Sequence, residues 1–211
     1  MKNSAAKLDG FVAVQRPISL SQNSPALPMG ITLTRGRTHE IMGVSADGFV
    51  ACVISQTWGP LIWVGRRRDV YSVCPLAAQK YFNPARLVTT ECGTRKEILW
   101  AGEQALRSKG ADCVVIQLTQ GPNLRESRRL QLAAEHGRTL GLILIEKSAQ
   151  SSACETRWQC NPVPSSAAAN DRVWEWELLK NKGGKPGIWR VNWKEQAHAT
   201  GHVSVVSAAS S

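Results

Sequence analysis

The chain has 211 residues, 43% of them hydrophobic, which is enough for one domain of ordinary size with little left for a second. Lys and Arg number 26 against 16 Asp and Glu, and the resulting net charge of +10 favours polyanions such as nucleic acid, with a well-solvated basic surface as the alternative. Nowhere do 18 apolar residues run together and the N-terminus lacks the apolar stretch of a signal peptide, so we expect a cytoplasmic protein without membrane contact.

The six cysteines show no C-x-x-C spacing, and four of them lie within or beside apolar runs. Such cysteines are typical of buried thiols in a reducing compartment. We therefore predict no metal site, and nothing in the sequence indicates a cofactor.

Residues 1–37 mix Ser, Asn, Pro and Gly with few periodic apolar positions, so we predict a flexible N-terminal arm. Regular patterns begin with HEIMG (39–43), a short apolar strand, and return in GPLIWVG (59–65), a strand bounded by glycines. Between them FVACVISQ (49–56) is apolar on all sides, and its pattern fits a buried helix as well as a strand.

Two well-capped helices follow in the middle of the chain. Thr94 and Glu97 form a T-x-x-E capping box, and Gly110 closes the first helix. NLRESRRLQLAAEHG (123–137) repeats this design. In the same region we predict a partly helical stretch in DVYSVCPLAAQKYF (69–82). We predict apolar strands in ARLVTT (85–90), DCVVIQL (112–118) and TLGLILIE (139–146).

Strands and helices alternate through the middle of the chain, which predicts an α/β fold with a central, mostly parallel sheet flanked by helices. The pattern then changes to strand and turn in TRWQC (156–160), VWEWELLK (173–180) and IWRVNW (188–193), so we predict an antiparallel hairpin extension at the C-terminal edge. We expect this domain to span 38–194 and to be followed by a disordered tail, 195–211.

Five of the eight tryptophans lie between residues 158 and 193. They alternate with polar residues, as in Trp174, Glu175 and Trp176, so each strand has one apolar face. Burying a tryptophan removes about 150 to 250 Å² from water, worth on the order of 4 to 6 kcal/mol as an upper bound. We therefore favour core packing over a stacking platform for bases.

Gly43 and Gly48 have the spacing of a phosphate-binding loop between a strand and a helix. In such loops backbone N–H groups hold the phosphates, while a lysine and a hydroxyl after the second glycine serve the β/γ-phosphates and Mg²⁺. Phe49 and Val50 occupy those two positions here. We therefore predict a degenerate loop and a chain that is not an enzyme, with residual nucleotide binding as the open alternative.

The order of these motifs resembles the core of the RecA recombinase family from residue 39 to about residue 193. The most specific similarity is to its shortened relatives, the ImuA inducible-mutagenesis proteins. It is carried by the phrases HEIMG, ADGFVACV, WVGRRRD, SRRLQLAAEHG, TRW and LLKNKGGKPG. The resemblance implies a RecA-like core of the phosphate-loop type.

A RecA-like core implies an acidic magnesium ligand at a strand end, a catalytic glutamate after the second strand, and a lysine pair that reaches a neighbouring protomer's nucleotide. Gln117 stands near the first position, and Gly65 with Arg66 near the second. Lys180 and Lys182 keep the lysine pair. This pattern favours a fold retained for assembly rather than for hydrolysis.

Three basic groups are candidate contacts to DNA or to a partner. They are Arg66, Arg67 and Arg68; Arg125, Arg128 and Arg129; and Lys180, Lys182 and Lys185. The first two groups follow strands, so we expect them on one rim of the sheet, where they would form a positive surface for phosphates. The alternatives are a solvated loop for the first group and a polar helix face for the second. The resemblance places the lysine pair at an interface.

The resemblance to ImuA implies a function in the SOS response to DNA damage, in error-prone translesion synthesis and mutagenesis. The implied partners are a catalytically inactive Y-family polymerase relative, ImuB, an error-prone C-family polymerase, and RecA, with single-stranded DNA as a further candidate. Two alternatives remain open at this stage. One is an SOS cell-division inhibitor of the SulA type, and the other is a weak nucleotide-binding ATPase.

Overall fold

The computed structural model describes residues 24–27, 30–149, 151–163, 172–196 and 199–209, which form one mixed α/β sheet structure. The strands are β1 (Thr38–Met42), β2 (Leu61–Gly65), β3 (Leu87–Glu91), β4 (Cys113–Gln120), β5 (Leu140–Lys147), β6 (Thr156–Pro162), β7 (Arg172–Asn181), β8 (Gly187–Gln196) and β9 (Ala199–Ala209). The helices are α1 (Ala46–Ile54), α2 (Arg67–Tyr71), α3 (Pro75–Ala78), α4 (Arg95–Arg107) and α5 (Leu124–Gly137).

The sheet has nine strands in the order β3-β2-β4-β5-β1-β6-β7-β8-β9. All pairs from β3 to β6 are parallel, and the pairs from β6 to β9 are antiparallel. This confirms the predicted mostly parallel α/β sheet with an antiparallel extension. The parallel strands begin at one edge of the sheet, the amino edge, and end at the other, the carboxyl edge.

Helices cover both faces of the parallel half. On one face α1 places Phe49 in a buried cluster with Leu61 and Leu142, so FVACVISQ forms a buried helix as far as Ile54. On the other face α4 and α5 pack their apolar sides against Ile116, Ile143 and neighbouring residues. Each face of the parallel strands is therefore covered, which explains their continuous apolar sequences.

Both predicted helix starts are confirmed. The Thr94 hydroxyl accepts from Glu97 N at 3.3 Å, and the Glu97 carboxylate accepts from Thr94 N at 3.0 Å. Asn123 caps α5 in the same reciprocal way. The ends differ from expectation, because Lys109 and Arg138 adopt left-handed backbone conformations with φ of 60° and 55°. Gly137 is required for another reason: a Cβ there would overlap the Leu106 carbonyl oxygen.

The tryptophan-rich strands pack inward, as predicted. Trp158 and Trp176 are fully buried, and Trp174 is 7% exposed. Their alternation with polar residues leaves Glu175 and Glu177 on the less buried face of β7. The aromatic residues therefore extend the core beneath the antiparallel half.

Residues 24–27 and 30–37 contact the domain, unlike the flexible arm predicted for 1–37. Leu27 and Leu33 are buried in the cluster that contains Phe49, and an Ala26–Thr32 bridge joins the segment to itself. Two buried leucines are too few to produce a visible periodicity in the sequence. The rest of the predicted arm lies outside the described residues.

The predicted disordered tail also differs from the structure, because β9 pairs with β8 along most of their lengths. The pairing runs from Ile188 opposite Ala209 to Gln196 opposite Ala199. The small residues of this segment resemble a disordered sequence in composition. An edge strand, however, can be held by its backbone hydrogen bonds.

All six cysteines are free thiols, and five of them are buried, Cys74 being the exposed one. Burial raises the pKa of Cys113 to about 12, so that thiol remains protonated and unreactive. Among the described residues no helix is long and apolar enough to cross a membrane.

The central strand β1 buries three consecutive polar side chains, each of which has a partner. The Thr38 hydroxyl donates to Gln131 Oε1 at 2.9 Å. His39 Nδ1 lies 2.8 Å from Thr156 Oγ1, and Arg157 Nε donates to Glu40 Oε2 at 2.6 Å. These contacts tie β1 to α5 on one side and to β6 on the other.

Replacing His39 with Gln is expected to flatten the dependence of stability on pH. Burial lowers the pKa of His39 from 6.5 to about 4, so between these values the unfolded chain binds a proton that the folded chain excludes. The contribution of neutral His39 to the free energy of unfolding is fully present above pH 6.5 and is lost as the pH falls toward 4. From pH 7.5 to pH 5 we expect the loss of this contribution to lower the free energy of unfolding by about 2 kcal/mol.

Urea unfolding at several pH values measures this effect. His136→Gln, on the exposed side of α5, is the matched control and should keep the wild-type pH slope. Equal slopes for wild type and His39→Gln would contradict the assignment.

Candidate functional site

The loop between β1 and α1 is short and closed by its own hydrogen bonds. It spans the three residues 43–45, because α1 already begins at Ala46 and Gly48 lies inside the helix. Ser45 N donates to Cys160 O at 3.0 Å, and Ala46 N donates to Gly43 O at 3.2 Å. These N–H groups, which a phosphate-binding loop would point at its ligand, are already bonded to carbonyl oxygens.

Both glycines of the loop motif serve packing. Gly43 has φ of +104°, and a Cβ there would overlap the Cys160 carbonyl oxygen of β6. At Gly48 a Cβ would lie 3.0 Å from the Trp174 ring. Gly43 is therefore required by β6, whereas a side chain at position 48 would need the Trp174 ring of β7 to shift by a few tenths of an ångström. Both constraints come from packing, whether or not a phosphate is bound.

Phe49 and Val50 point into the core, with exposed fractions of 0% and 1%. The Phe49 ring lies 4.7 Å from the Trp176 ring in an edge-to-face arrangement and 5.1 Å from the Trp158 ring. Aromatic pairs at such distances add about 0.5–1.5 kcal/mol beyond the area that they bury. The position where a phosphate-binding lysine would stand is therefore part of the contact between α1 and the antiparallel strands.

A crevice of about 350 Å³ opens at the carboxyl edge between the loop, β4 and β5. Its charged lining residues are Asp47 and Glu146, and none of its lining residues is Lys or Arg. Desolvation raises the pKa of the Asp47 carboxyl. The Gln117 side-chain oxygen Oε1, near the position of a magnesium ligand, accepts from Trp63 Nε1 at 3.1 Å. No cation lines the crevice, and the arginines that reach Glu146 at its rim are already paired with it.

The arginines after β2 are largely neutralised. Arg66 donates from Nε to Asp69 at 2.7 Å and from Nη2 to Glu146 at 3.0 Å. The hydrogen bond to Asp69 is the main reason that the pKa of Arg66 is raised. Arg68 also contacts Glu146, at 3.3 Å, and Arg67 lies over the Tyr71 ring. The i,i+3 spacing of Arg66 and Asp69 is visible in the sequence, whereas the pairing with Glu146 needs the fold.

No family model matches the chain. Two curated relatives, Protein ImuA from Caulobacter vibrioides strains NA1000 / CB15N and ATCC 19089 / CIP 103742 / CB 15, are each 28% identical to it over 203 residues. Each alignment covers 83% of this chain and 82% of the relative. The chain is a homologue of these ImuA proteins. The similarity to ImuA that the sequence predicted is therefore confirmed over most of both chains.

In this homologue of ImuA the second basic group is exposed on α5. Arg125 lies in the first turn at the carboxyl edge, and Arg129 pairs with Glu103 of α4 at 2.5 Å. Arg66 also follows a strand at this edge, but α2 packs on the opposite face of the sheet from α5. The two groups therefore lie at one edge of the sheet, as predicted, but on helices that cover opposite faces.

The lysines of the third group lie at the amino edge, opposite the crevice. Lys180 Nζ donates to Ser152 O, and Lys182 Nζ donates to Ala153 O, both at 2.5 Å. Burial and the neighbouring Lys182 lower the pKa of Lys180. Lys185 is exposed in the turn between β7 and β8. Within one chain these lysines do not reach the crevice.

Restoring the missing lysine is expected to destabilise the protein without restoring ATP binding. Phe49→Lys would place an ammonium group between Trp158 and Trp176, and we expect a loss of at least about 3 kcal/mol in the free energy of unfolding. Urea unfolding measures the loss, and a fluorescent ATP analogue tests binding.

Val44→Lys adds the same charge in the β1–α1 loop, five residues before Phe49, at a side chain that is 86% exposed. This control should change stability by no more than about 0.5 kcal/mol. A folded Phe49→Lys variant that binds ATP at micromolar concentration would show that the loop can still hold phosphate.

Proposed function

We propose that the chain is a non-catalytic, RecA-like accessory protein of the SOS-induced assembly for error-prone translesion DNA synthesis in the cytoplasm. In this role it bridges RecA or DNA and a Y-family polymerase relative, ImuB, in an assembly that also contains an error-prone C-family polymerase. The observation that carries the proposal is the similarity to Protein ImuA over 83% of the chain. This similarity associates the chain with damage-inducible mutagenesis.

The geometry of the β1–α1 loop supports a function in assembly rather than in catalysis. The Ser45 and Ala46 amides are bonded to carbonyl oxygens, Phe49 fills the lysine position, and the charged residues that line the crevice are Asp47 and Glu146. A triphosphate at this place would meet the Asp47 carboxylate and would have to compete with Glu146 for Arg66 and Arg68, which costs free energy. The parts of the chain that remain open to a partner are its exposed surfaces.

The alternatives are a cell-division inhibitor and a weak ATPase. The comparisons give no support to a cell-division inhibitor of the SulA type, because the relatives that they find are ImuA proteins. A weak ATPase would have to bind phosphate in the acidic crevice, which the charge of Asp47 and Glu146 disfavours. It remains the second candidate for the test below.

Co-purification with the Y-family polymerase relative and RecA from the same source tests the proposal. We expect the chain to elute with the polymerase relative in size-exclusion chromatography, and to retain RecA when single-stranded DNA is present. Mixtures with each partner alone identify which contact forms first.

Elution of the chain away from both partners would refute the proposed function. ATP turnover above the buffer background in the same samples, abolished by Asp47→Asn but not by Glu91→Gln, would instead favour the ATPase alternative. Both variants remove one negative charge, and Glu91 is exposed on β3, away from the loop.

A further inference from the structure

The amino edge of the sheet carries a row of cations that no acidic side chain neutralises. Its carboxylates already face arginines: Glu40 pairs with Arg157, Asp112 with Arg35, and Glu135 and Glu155 both lie near Arg37. Arg86, before β3, donates to Thr57 and Gly59. The other cations are Lys109, Arg138, Lys180, Lys182 and Lys185, and none of them forms an ion pair within the described part of the chain. This edge therefore holds an excess of positive charge.

Sheet order places these residues in a line. Trp58 precedes β2, Lys109 precedes β4, Arg138 precedes β5, and Lys180 and Lys182 lie at the end of the antiparallel β7. At about 4.8 Å per strand, the line from β2 to β7 is about 24 Å long. The segments that precede β4 and β5 are in contact, since Thr139 Oγ1 donates to Ala111 O at 3.4 Å. The row therefore has two parts, Lys109 with Arg138 and Lys180 with Lys182, and the amino ends of β1 and β6 lie between them.

Lys109 and Arg138 have unusual backbones for cationic residues. Each follows the last turn of its helix, is exposed, and has positive φ, a conformation normally given to glycine. A non-glycine residue there costs about 1 kcal/mol or more. A cation at a helix C-terminus recovers part of that cost through the dipole. The two residues precede neighbouring strands, β4 and β5, and neither forms an ion pair within the described part of the chain, which is an arrangement suited to an external polyanion.

Trp58 adds a large exposed ring to the same row. Its side chain is 73% exposed, while its backbone N–H is fixed by Asp112 Oδ2 at 2.9 Å and the neighbouring Gly59 N by the same oxygen at 3.1 Å. The indole is therefore held on a rigid loop rather than on a mobile one. Bases of single strands stack on such rings, and those of a duplex are not available to them.

We propose that the amino edge of the sheet binds single-stranded DNA, with Lys109, Arg138 and Lys182 on the phosphates and Trp58 stacked on a base. The row is long enough for on the order of four nucleotides, the lower end of the range for proteins that combine basic grooves with aromatic rings. The proposal deepens the proposed function by assigning DNA contact to a surface, and it differs from the arginine-rich carboxyl edge that the sequence indicated.

Fluorescence anisotropy with a labelled dT oligonucleotide tests this surface. The double variant Lys109→Gly, Arg138→Gly removes two charges and suits the left-handed backbone, so folding should be kept or improved. We expect its affinity at low salt to fall at least tenfold, and its salt slope to fall by about 1.4, since each phosphate contact to a single strand contributes about 0.7. Trp58→Ala should lower affinity about fivefold or more.

Lys96→Gln, Lys147→Gln is the matched control, because it removes two exposed charges near the carboxyl edge. It should leave affinity within about twofold of wild type and the salt slope within about 0.3. Thermal unfolding of every variant confirms that the fold is kept.

The proposal would be overturned if the wild-type protein did not bind the oligonucleotide at low salt, or if the amino-edge variants bound it as tightly as wild type. It would also be overturned if DNA binding were lost only in the variant Arg125→Gln, Arg128→Gln, whose substitutions lie at the carboxyl edge. Binding of polyglutamate with no binding of DNA would reassign the surface to an acidic protein. Co-purification with the polymerase relative is measured without DNA and does not depend on these binding results. A chain that co-purifies but does not bind DNA at the amino edge would therefore refute this proposal and leave the proposed function standing.

Discussion

The buried pair of Glu40 and Arg157 joins the two halves of the sheet. Arg157 Nε lies 2.6 Å from Glu40 Oε2, Glu40 is fully buried, and the two residues are direct register partners of β1 and β6. Removing one partner of such a pair leaves an uncompensated charge, which typically costs about 3–5 kcal/mol. A slip of one residue would turn the carboxylate of β1 toward the opposite, apolar face. The pair therefore fixes the register of the parallel pairing between β1 and β6, and β6 is the strand to which the antiparallel half is attached.

The loop after β1 depends on this junction. Because β6 is held beside β1, its Cys160 carbonyl can accept from Ser45 N, and Gly43 has no room for a side chain. The following strands then bring Trp158 and Trp176 against Phe49. Strands β6 and β7 therefore complete the core and also occupy the groups that a phosphate-binding loop would use, the Ser45 amide and the position of Phe49. One packing arrangement has both effects.

Local signals in the sequence predicted much of the fold. The capping boxes at Thr94 and Asn123 fixed two helix starts, because capping involves residues three positions apart. Apolar runs identified the buried strands β4 and β5, and alternation identified the inward tryptophans of β7. The docking of Leu27 and Leu33 and the strand β9 were missed, since each depends on a partner element distant in the chain and leaves little local pattern.

The candidate surfaces were harder to predict for the same reason. Arginine runs are visible in the sequence, but the neutralisation of Arg66 by Glu146 joins residues 80 positions apart. Lys109 and Arg138 are single cations in sequence, and the fold brings them to the starts of two neighbouring strands, β4 and β5. Counting charges along the chain therefore indicated the carboxyl edge, while pairing them in space leaves the excess at the amino edge.

The three-residue loop also limits the routes by which the protein can change over generations. A phosphate cradle would require inserted residues, removal of the Phe49 ring and loss of two carboxylates, and each step alone would lower stability or bind no ligand. No single substitution would produce a phosphate site by itself. Because the residues around the loop are buried, substitutions there cost more stability than substitutions at exposed positions, so contacts with partners can change more readily than the loop can.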